Sequence, residues 1–253
     1  GKLFFKDDIR KISKFTDKIK YPIVVKPYDG THGNLVFIGI RNKEDCEKAV
    51  KKILKENEYV LIEKMFIGTE YRIFATRNKF IAATNRVPAN IIGDGIHTVR
   101  DLVNIKNSDP RRGDDYDKAL IKIKIDKNLL NNLKKQKLKL SSIIKNKKIV
   151  YLRNTSNLST GGDSVDVTDQ IHPDIKKIAV KAVRAIPGLA YAGVDFMTNK
   201  DISKKPTKNS YIIIEINSSP MISMHHSPYQ GKSRNVAKEI IDILFPETKR
   251  KYV

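Results

Sequence analysis

The chain of 253 residues holds one cysteine, no long apolar run and far fewer acids than bases. A single thiol, Cys46, excludes any internal disulfide. It lies with Ala49, Val50, Ile53 and Leu54 on one helical face and reads as a core thiol. No apolar stretch approaches the ~20 residues that span a bilayer, and the charged first residues do not fit a secretory signal. The expectation is a cytoplasmic protein with no membrane partner. Acids number 28 against 49 Lys and Arg, a formal charge of +21. Such an excess attracts phosphates, nucleic acid or acidic peptides without choosing among them. In the most basic run, Lys118 to Lys148, no aromatic residues interleave to stack bases, so it reads as a solvated lysine-rich surface.

What is present is a mixed pattern. YPIVVK (Tyr21 to Lys26) is a β-branched run, followed by the turn-rich PYDGTHGN and the apolar LVFIGI, which predicts strand, glycine-bearing loop, strand. A helix at Lys43 to Lys55 and a strand, YVLIEKMF, complete a small α+β lobe over 1–65. Residues 66–253 form a larger lobe. There EYRIFATRNKFIAATNRVPA predicts two strands around Arg77 to Lys79, and IIGDGIHTVRDLVNIKN a glycine turn running into a helix. The region 108–146 lacks clean periodicity and reads as an excursion on this lobe. Ile175, Ile178, Ala179, Ala182, Val183 and Ile186 make one helical stripe, and Val236, Ile240, Ile241 and Leu244 another. Between them YAGVDFM and SYIIIEIN read as buried strands.

Three groups carry chemistry. Asp195 in AGVDF and Glu215 with Asn217 in IIIEINSSP sit on strands, where alternate side chains share a face, so Glu215 and Asn217 point the same way. An acid in an apolar β-branched run is costly to bury without a partner, and carboxylate and amide oxygens suit a hard cation such as magnesium beside phosphate. Lys26, with the loop Asp29 to Asn34, offers a point charge and, at Gly30 and Gly33, backbone that can approach an anion closely. YLRNTSNLSTGGDS supplies Arg153, whose guanidinium suits phosphate or carboxylate, together with Asn157. His225 and His226 read as surface or packing residues.

In order along the chain, VVKPYDGTHGN, RVPANIIGDGIHTVRDLV, DPRRG, VYLRNTSNLSTGGDSVDVTD, GVDF, EINSSP and GKSRNVAKEIIDILFP resemble the ATP-grasp superfamily. The likeness is to the ATP-grasp domain of cyanophycin synthetase and the glutathione synthetase domain of the fused bacterial glutathione enzyme in particular. The resemblance implies an α+β ATP-grasp fold, two lobes holding a nucleotide between them. It implies that Lys26 binds phosphate, that Asp29 to Asn34 closes as a lid, that Glu63, Lys64 and Phe66 line the adenine pocket and that Glu70 holds the ribose. Arg72 and Arg86 would face phosphate and substrate, and Arg153 with Asn157 would lie near the transferred phosphoryl group. Asp195, Glu215 and Asn217 would bind magnesium, or manganese in its place.

The family ordinarily has an N-terminal region with another phosphate-binding lysine, and cyanophycin synthetase a following Mur-ligase-like domain. The sequence is therefore read either as a fragment or as a stand-alone relative. The activity implied is an ATP-dependent ligase: a carboxylate attacks the γ-phosphoryl group, and an amine then attacks the acylphosphate, without a protein nucleophile. Its substrates would be amino-acid or peptide carboxylates and amines, and an acidic polymer would suit the charge. The oligomeric state stays open. Two alternatives remain: a basic nucleic-acid-binding module, permitted by charge but without an RNA-type aromatic motif or zinc pattern, and a non-catalytic ATP-binding fragment.

Overall fold

The computed structural model describes residues 1–29, 35–115 and 117–248, with the side chains of Ile9, Arg10 and Thr248 left aside. Gly30 and Gly33 of the expected phosphate loop thus lie outside the described residues. The chain divides into two compact units, Gly1–Ile67 and Gly68–Val253.

The first unit runs β1 (Lys2–Phe5), α1 (Ile9–Ile19), β2 (Ile23–Pro27), β3 (Phe37–Ile40), α2 (Lys43–Ile53) and β4 (Tyr59–Lys64). Its sheet has the order β1-β4-β2-β3, every neighbouring pair antiparallel. Alternation sends Ile23, Val25, Val60 and Ile62 to one face, where they join Ile12, Cys46, Val50 and Ile53 of the helices in a closed core. Each such side chain, fully buried, contributes ~1.5–3 kcal/mol. Asn42 starts α2 by accepting from the Asp45 amide at 2.8 Å, satisfying one of the donors a helix start leaves open. Cys46 is 2% exposed, and burial pushes its thiol up to about 11, as a core thiol should behave.

The second unit is built on five antiparallel strands: β5 (Thr69–Thr76), β6 (Phe80–Val87), β11 (Asp163–Asp166), β12 (Tyr191–Thr198) and β13 (Tyr211–Asn217), in the order β11-β6-β5-β12-β13. One face is covered by α5 (Pro173–Arg184), whose Ile175, Ala179, Ala182 and Val183 meet Tyr71, Ile73, Ala83, Val194 and Phe196. Proline at the first helical position suits α5, because the amide it lacks would have no partner there. The strand β12 is buried as its sequence predicts. SYIIIEIN is not: β13 is the sheet's edge, and Ile212 and Ile213 are 36% and 37% exposed. A β-branched run signals a strand, while edge or centre is decided by pairing partners far away in sequence.

A separate core is made by β7 (Asn90–Ile92), α3 (Val99–Asn107), β8 (Arg112–Gly113), β9 (Leu120–Ile121), α4 (Lys127–Lys135) and β10 (Ile149–Tyr151), which surround Ile91, Leu102, Val103, Ile123, Leu129, Leu133, Ile144 and Leu152. Residues 108–146 supply four of these eight side chains, so the region without periodicity helps to build a core. Thr98 and Asp101 start α3 with a reciprocal capping box. Among the described residues the helices α6 (Ser223–His226) and α7 (Val236–Leu244) follow β13.

Candidate active site

The face of the five-stranded sheet opposite α5 carries the polar residues. Register sets four of them in one row across four strands: Thr84 on β6 pairs with Arg72 on β5, Arg72 with Asp195 on β12, and Asp195 with Glu215 on β13. Asn217 and Arg86, each two residues further along its strand, share that face. Asp195 is 3% exposed. Its carboxylate accepts from Arg72 through Nε and, at 3.3 Å, Nη2, and from Arg86 Nη2 at 2.8 Å. Arg86 also donates to Glu70. The buried pair of Arg72 and Asp195 is thus joined by the half-buried pair of Arg86 and Glu70, two cations balancing two anions, the arrangement that makes buried charge tolerable. Burial works to raise the Asp195 carboxyl, but the charges and hydrogen bonds of Arg86 and Arg72 outweigh it and hold the group below the usual carboxylate range.

Gly193 makes room for this cluster. A Cβ there would lie 2.9 Å from Cδ of Arg72 and 2.7 Å from Cβ of Pro220. Opposite Gly193 in register is Asn217, whose Nδ2 donates to Glu215 Oε1 at 3.2 Å and to the Gly193 carbonyl at 3.4 Å. With Nδ2 as the donor of both bonds, Oδ1 is the acceptor atom of this side chain. Asp195, Glu215 and Asn217 are therefore hard oxygen donors on one face, and an ionised carboxylate has about four lone-pair sites, enough for Asp195 to serve arginine and cation together. Among the described residues Arg86 Nε is buried without a hydrogen-bond partner, a donor suited to an incoming anion. The residues present fit a magnesium-bound phosphate group.

His225 backs the row. It is 2% exposed, its Nδ1 lies 2.9 Å from Thr84 Oγ1, and its ring stands edge-on to Phe74. Burial first, and the charge of Arg72 second, push its pKa down to about 3, so the imidazole is neutral. His226 accepts from the Ala237 amide at 3.0 Å in the first turn of α7. Both histidines pack within the fold, as the sequence reading expects.

Other expected site residues have different surroundings. Arg153 is 8% exposed and is tied in a fork to Asp126, at 2.7 and 2.9 Å, and to the Lys124 carbonyl at 3.1 Å. Asp126 is also the cap of α4. Asn157 caps a short turn by accepting from the Ser159 amide and hydroxyl. In the first unit Lys26 Nζ lies 2.7 Å from Glu63 Oε2, on the sheet face away from that unit's core. Lys64 donates to the Lys20 and Tyr21 carbonyls, each at 3.0 Å, while Asp29 and Lys64 are exposed and Phe66 is half-buried.

Sequence reasoning missed a second charged knot. Asp163, 4% exposed, accepts from Arg112, from Lys106 at 2.5 Å and from Asn90 at 2.9 Å, with the Tyr229 ring 5.5 Å from the Arg112 guanidinium carbon. It ties β7, α3 and β8 to β11. DPRRG and STGGDS both stood out in the sequence, but nothing local links Arg112 to Asp163.

The fold is that of ATP-grasp proteins. A family model described as a RimK-like ATP-grasp domain matches residues 152–244. Homologues include cyanophycin synthetases and glutathione biosynthesis bifunctional proteins. That of Crocosphaera subtropica, a cyanophycin synthetase, is 43% identical over 228 residues, 89% of this chain and 26% of that protein. The bifunctional protein GshAB of Mannheimia succiniciproducens is 41% identical over 230 residues, 89% of this chain and 30% of its own. The crystal structure of a bifunctional glutathione synthetase from Pasteurella multocida matches with a TM-score of 0.70 at 37% identity, over 97% of this chain and 34% of that one. D-alanine–D-alanine ligase from Bacillus anthracis, at 14% identity and a TM-score of 0.52 over 96% of this chain and 55% of that one, shares the fold. The chain spans 26% to 30% of the length of these two curated relatives. ATP-grasp ligases use ATP and a divalent metal, and the ligase PsnB, of the same fold, is seen complexed with Mg and ADP.

Proposed function

We propose that this chain is the nucleotide-binding and catalytic part of a cytoplasmic ATP-dependent carboxylate–amine ligase. The observation that supports it best is the polar row on the five-stranded sheet, where Asp195, Glu215 and Asn217 present oxygen donors beside the cations Arg72 and Arg86. A substrate carboxylate oxygen attacks the γ-phosphorus of ATP, the bond to the β,γ-bridging oxygen breaks and ADP departs. The amine nitrogen then attacks the acyl carbon, phosphate leaves, and the nitrogen's proton passes to phosphate or solvent.

Each step needs neutralised charge and fixed geometry more than a protein nucleophile. Arg86 offers Nε to the anionic substrate while Asp195 and Glu70 hold its other end. Arg72, beside Asp195 in the row, donates to that carboxylate and, with Arg86, keeps it ionised. Asp195, Glu215 and Asn217 would hold magnesium, which when bound supplies further charge neutralisation to the phosphoryl group; manganese, with the same preference for oxygen, is a substitute. From the resemblance come Lys26 on phosphate, Asp29 to Asn34 as lid, Glu63, Lys64 and Phe66 around adenine, Glu70 on the ribose, and Arg153 with Asn157 near the transferred group. The lobes of the proposal are 1–65 and 66–253, and an acidic polymer bearing the carboxylate suits the charge of +21. The test is mass-spectrometric detection of an amide product and ADP in equal amounts, from magnesium-ATP with a panel of amino acids and short peptides. ATP consumed without any new amide would refute the ligase reading.

A further inference from the structure

The second unit holds a concavity of about 330 Å³ that none of the assigned residues lines. Its size is at the small end of ligand pockets, ~300–1,000 Å³, which suits one amino-acid residue. The walls are Leu120, Ile121, Leu158, Pro220, Met221 and Ile222, completed by Gly162 and Ser223 among others, and the charged lining residue is Lys118. Leu120, Ile121 and Leu158 are buried, whereas Lys118 is exposed.

Two observations place this concavity beside the polar row. Pro220 follows β13, and its Cβ and the Cδ of Arg72 lie 2.7 and 2.9 Å from the same point, the position of a Cβ on Gly193. On the other side, a Cβ on Gly162 would stand 2.8 Å from the carbonyl oxygen of Val87, the residue after Arg86, and 3.3 Å from Cδ2 of Leu158. The walls therefore continue from the strands that carry the two arginines. Among the described residues the lining contains no acid to pair with a cationic side chain, and an acidic one would find a cation at the exposed rim alone. An apolar wall instead discriminates by shape, an extra methylene changing selectivity by roughly 10–200-fold.

Resting on the ligase reading, we infer that this concavity is the side-chain subsite for the amine substrate, and that the substrate is an amino acid with an aliphatic side chain. Its side chain sits among Leu120, Leu158, Met221 and Ile222, its carboxylate pairs with Lys118, and its amine is left to face the arginine row.

Calorimetry of leucine, leucinamide, arginine and aspartate, with and without magnesium-ADP, tests this on the whole chain and on Met221→Glu and Lys118→Glu. Leucine should bind at least tenfold more tightly than arginine or aspartate. Met221→Glu should weaken leucine at least tenfold, and Lys118→Glu should weaken leucine while leaving leucinamide unchanged, both with the wild-type circular dichroism spectrum. If Met221→Glu fails to fold, the exposed Lys118 carries the test. Absence of leucine binding in both conditions, or equal binding of arginine or aspartate, would overturn the inference, as would leucine affinity indifferent to the folded variants. ADP release on the same panel separates the two claims. Turnover with charged amino acids alone removes the subsite and leaves the ligase, while leucine binding with the predicted sensitivities but no turnover removes the ligase and leaves the subsite.

Discussion

Replacing Asp195 with Asn should damage the fold as well as the chemistry. Arg72 and Arg86 bring two positive charges to a site where Asp195 and Glu70 bring two negative ones. The variant leaves two cations and one anion, with Arg72 6% exposed and without a carboxylate partner. Removing one partner of a buried pair costs about 3–5 kcal/mol. A unit of this size loses roughly 2–4 °C in Tm for each kcal/mol, so the expected drop is about 6–20 °C. The double variant Asp195→Leu with Arg72→Met restores charge balance, because Arg86 keeps Glu70, and should recover about 2 kcal/mol of the loss. The chain has no tryptophan, so urea and thermal unfolding are best followed by far-ultraviolet circular dichroism. Asp195→Asn within about 1 kcal/mol of wild type would refute the reasoning.

The Asp163 knot predicts a comparable loss of about 3–5 kcal/mol for Asp163→Asn, which strands Arg112 and Lys106, and urea unfolding measures it. His225, with its folded pKa near 3, is neutral in the fold at pH values where the unfolded chain protonates it. The unfolded state then binds more protons, so this residue's contribution to stability falls as pH drops from about 6.5 towards 3, by up to ~1.4 kcal/mol per pH unit. His225→Phe should flatten the dependence of the urea midpoint on pH between 6 and 4. An unchanged slope would mean that the imidazole is not held neutral. Carboxylates held low, Asp195 among them, act later, their contribution being present above the unfolded value and lost as pH falls through the folded one.

The sequence disclosed the elements whose signal is local. The stripe at Ile175, Ala179, Ala182 and Val183 is the buried face of α5, and the helix expected in IIGDGIHTVRDLVNIKN is α3. The helix α1, with Ile12, Phe15 and Ile19 at helical spacing, carried the same signal in residues that the charges of the N-terminus overshadowed. Pairing is another matter. The alternation in IIIEIN places Glu215 and Asn217 together, but only the register across β12 and β5 sets Asp195 against Arg72, 123 residues away. For the same reason Arg112 meets Asp163 without any motif joining them, and the isoleucines of β13 read as buried although they lie on an edge strand. Arg153 shows how a residue type can suggest one partner and find another: a guanidinium suited to phosphate is held in the structure by the Asp126 carboxylate.

Asn217 offers the most direct test of the central claim. It carries no charge and is half-buried at the end of an edge strand, so Asn217→Ala removes an oxygen donor from the row without stranding a buried ion. The measurement is ADP release from magnesium-ATP in the presence of whichever carboxylate and amine pair supports turnover by the wild-type chain. The account predicts a variant with the wild-type circular dichroism spectrum and urea midpoint that releases ADP at least 100-fold more slowly, the scale of losing one preorganised group at a reacting centre, about 10²–10³. ADP release by Asn217→Ala at the wild-type rate would contradict it.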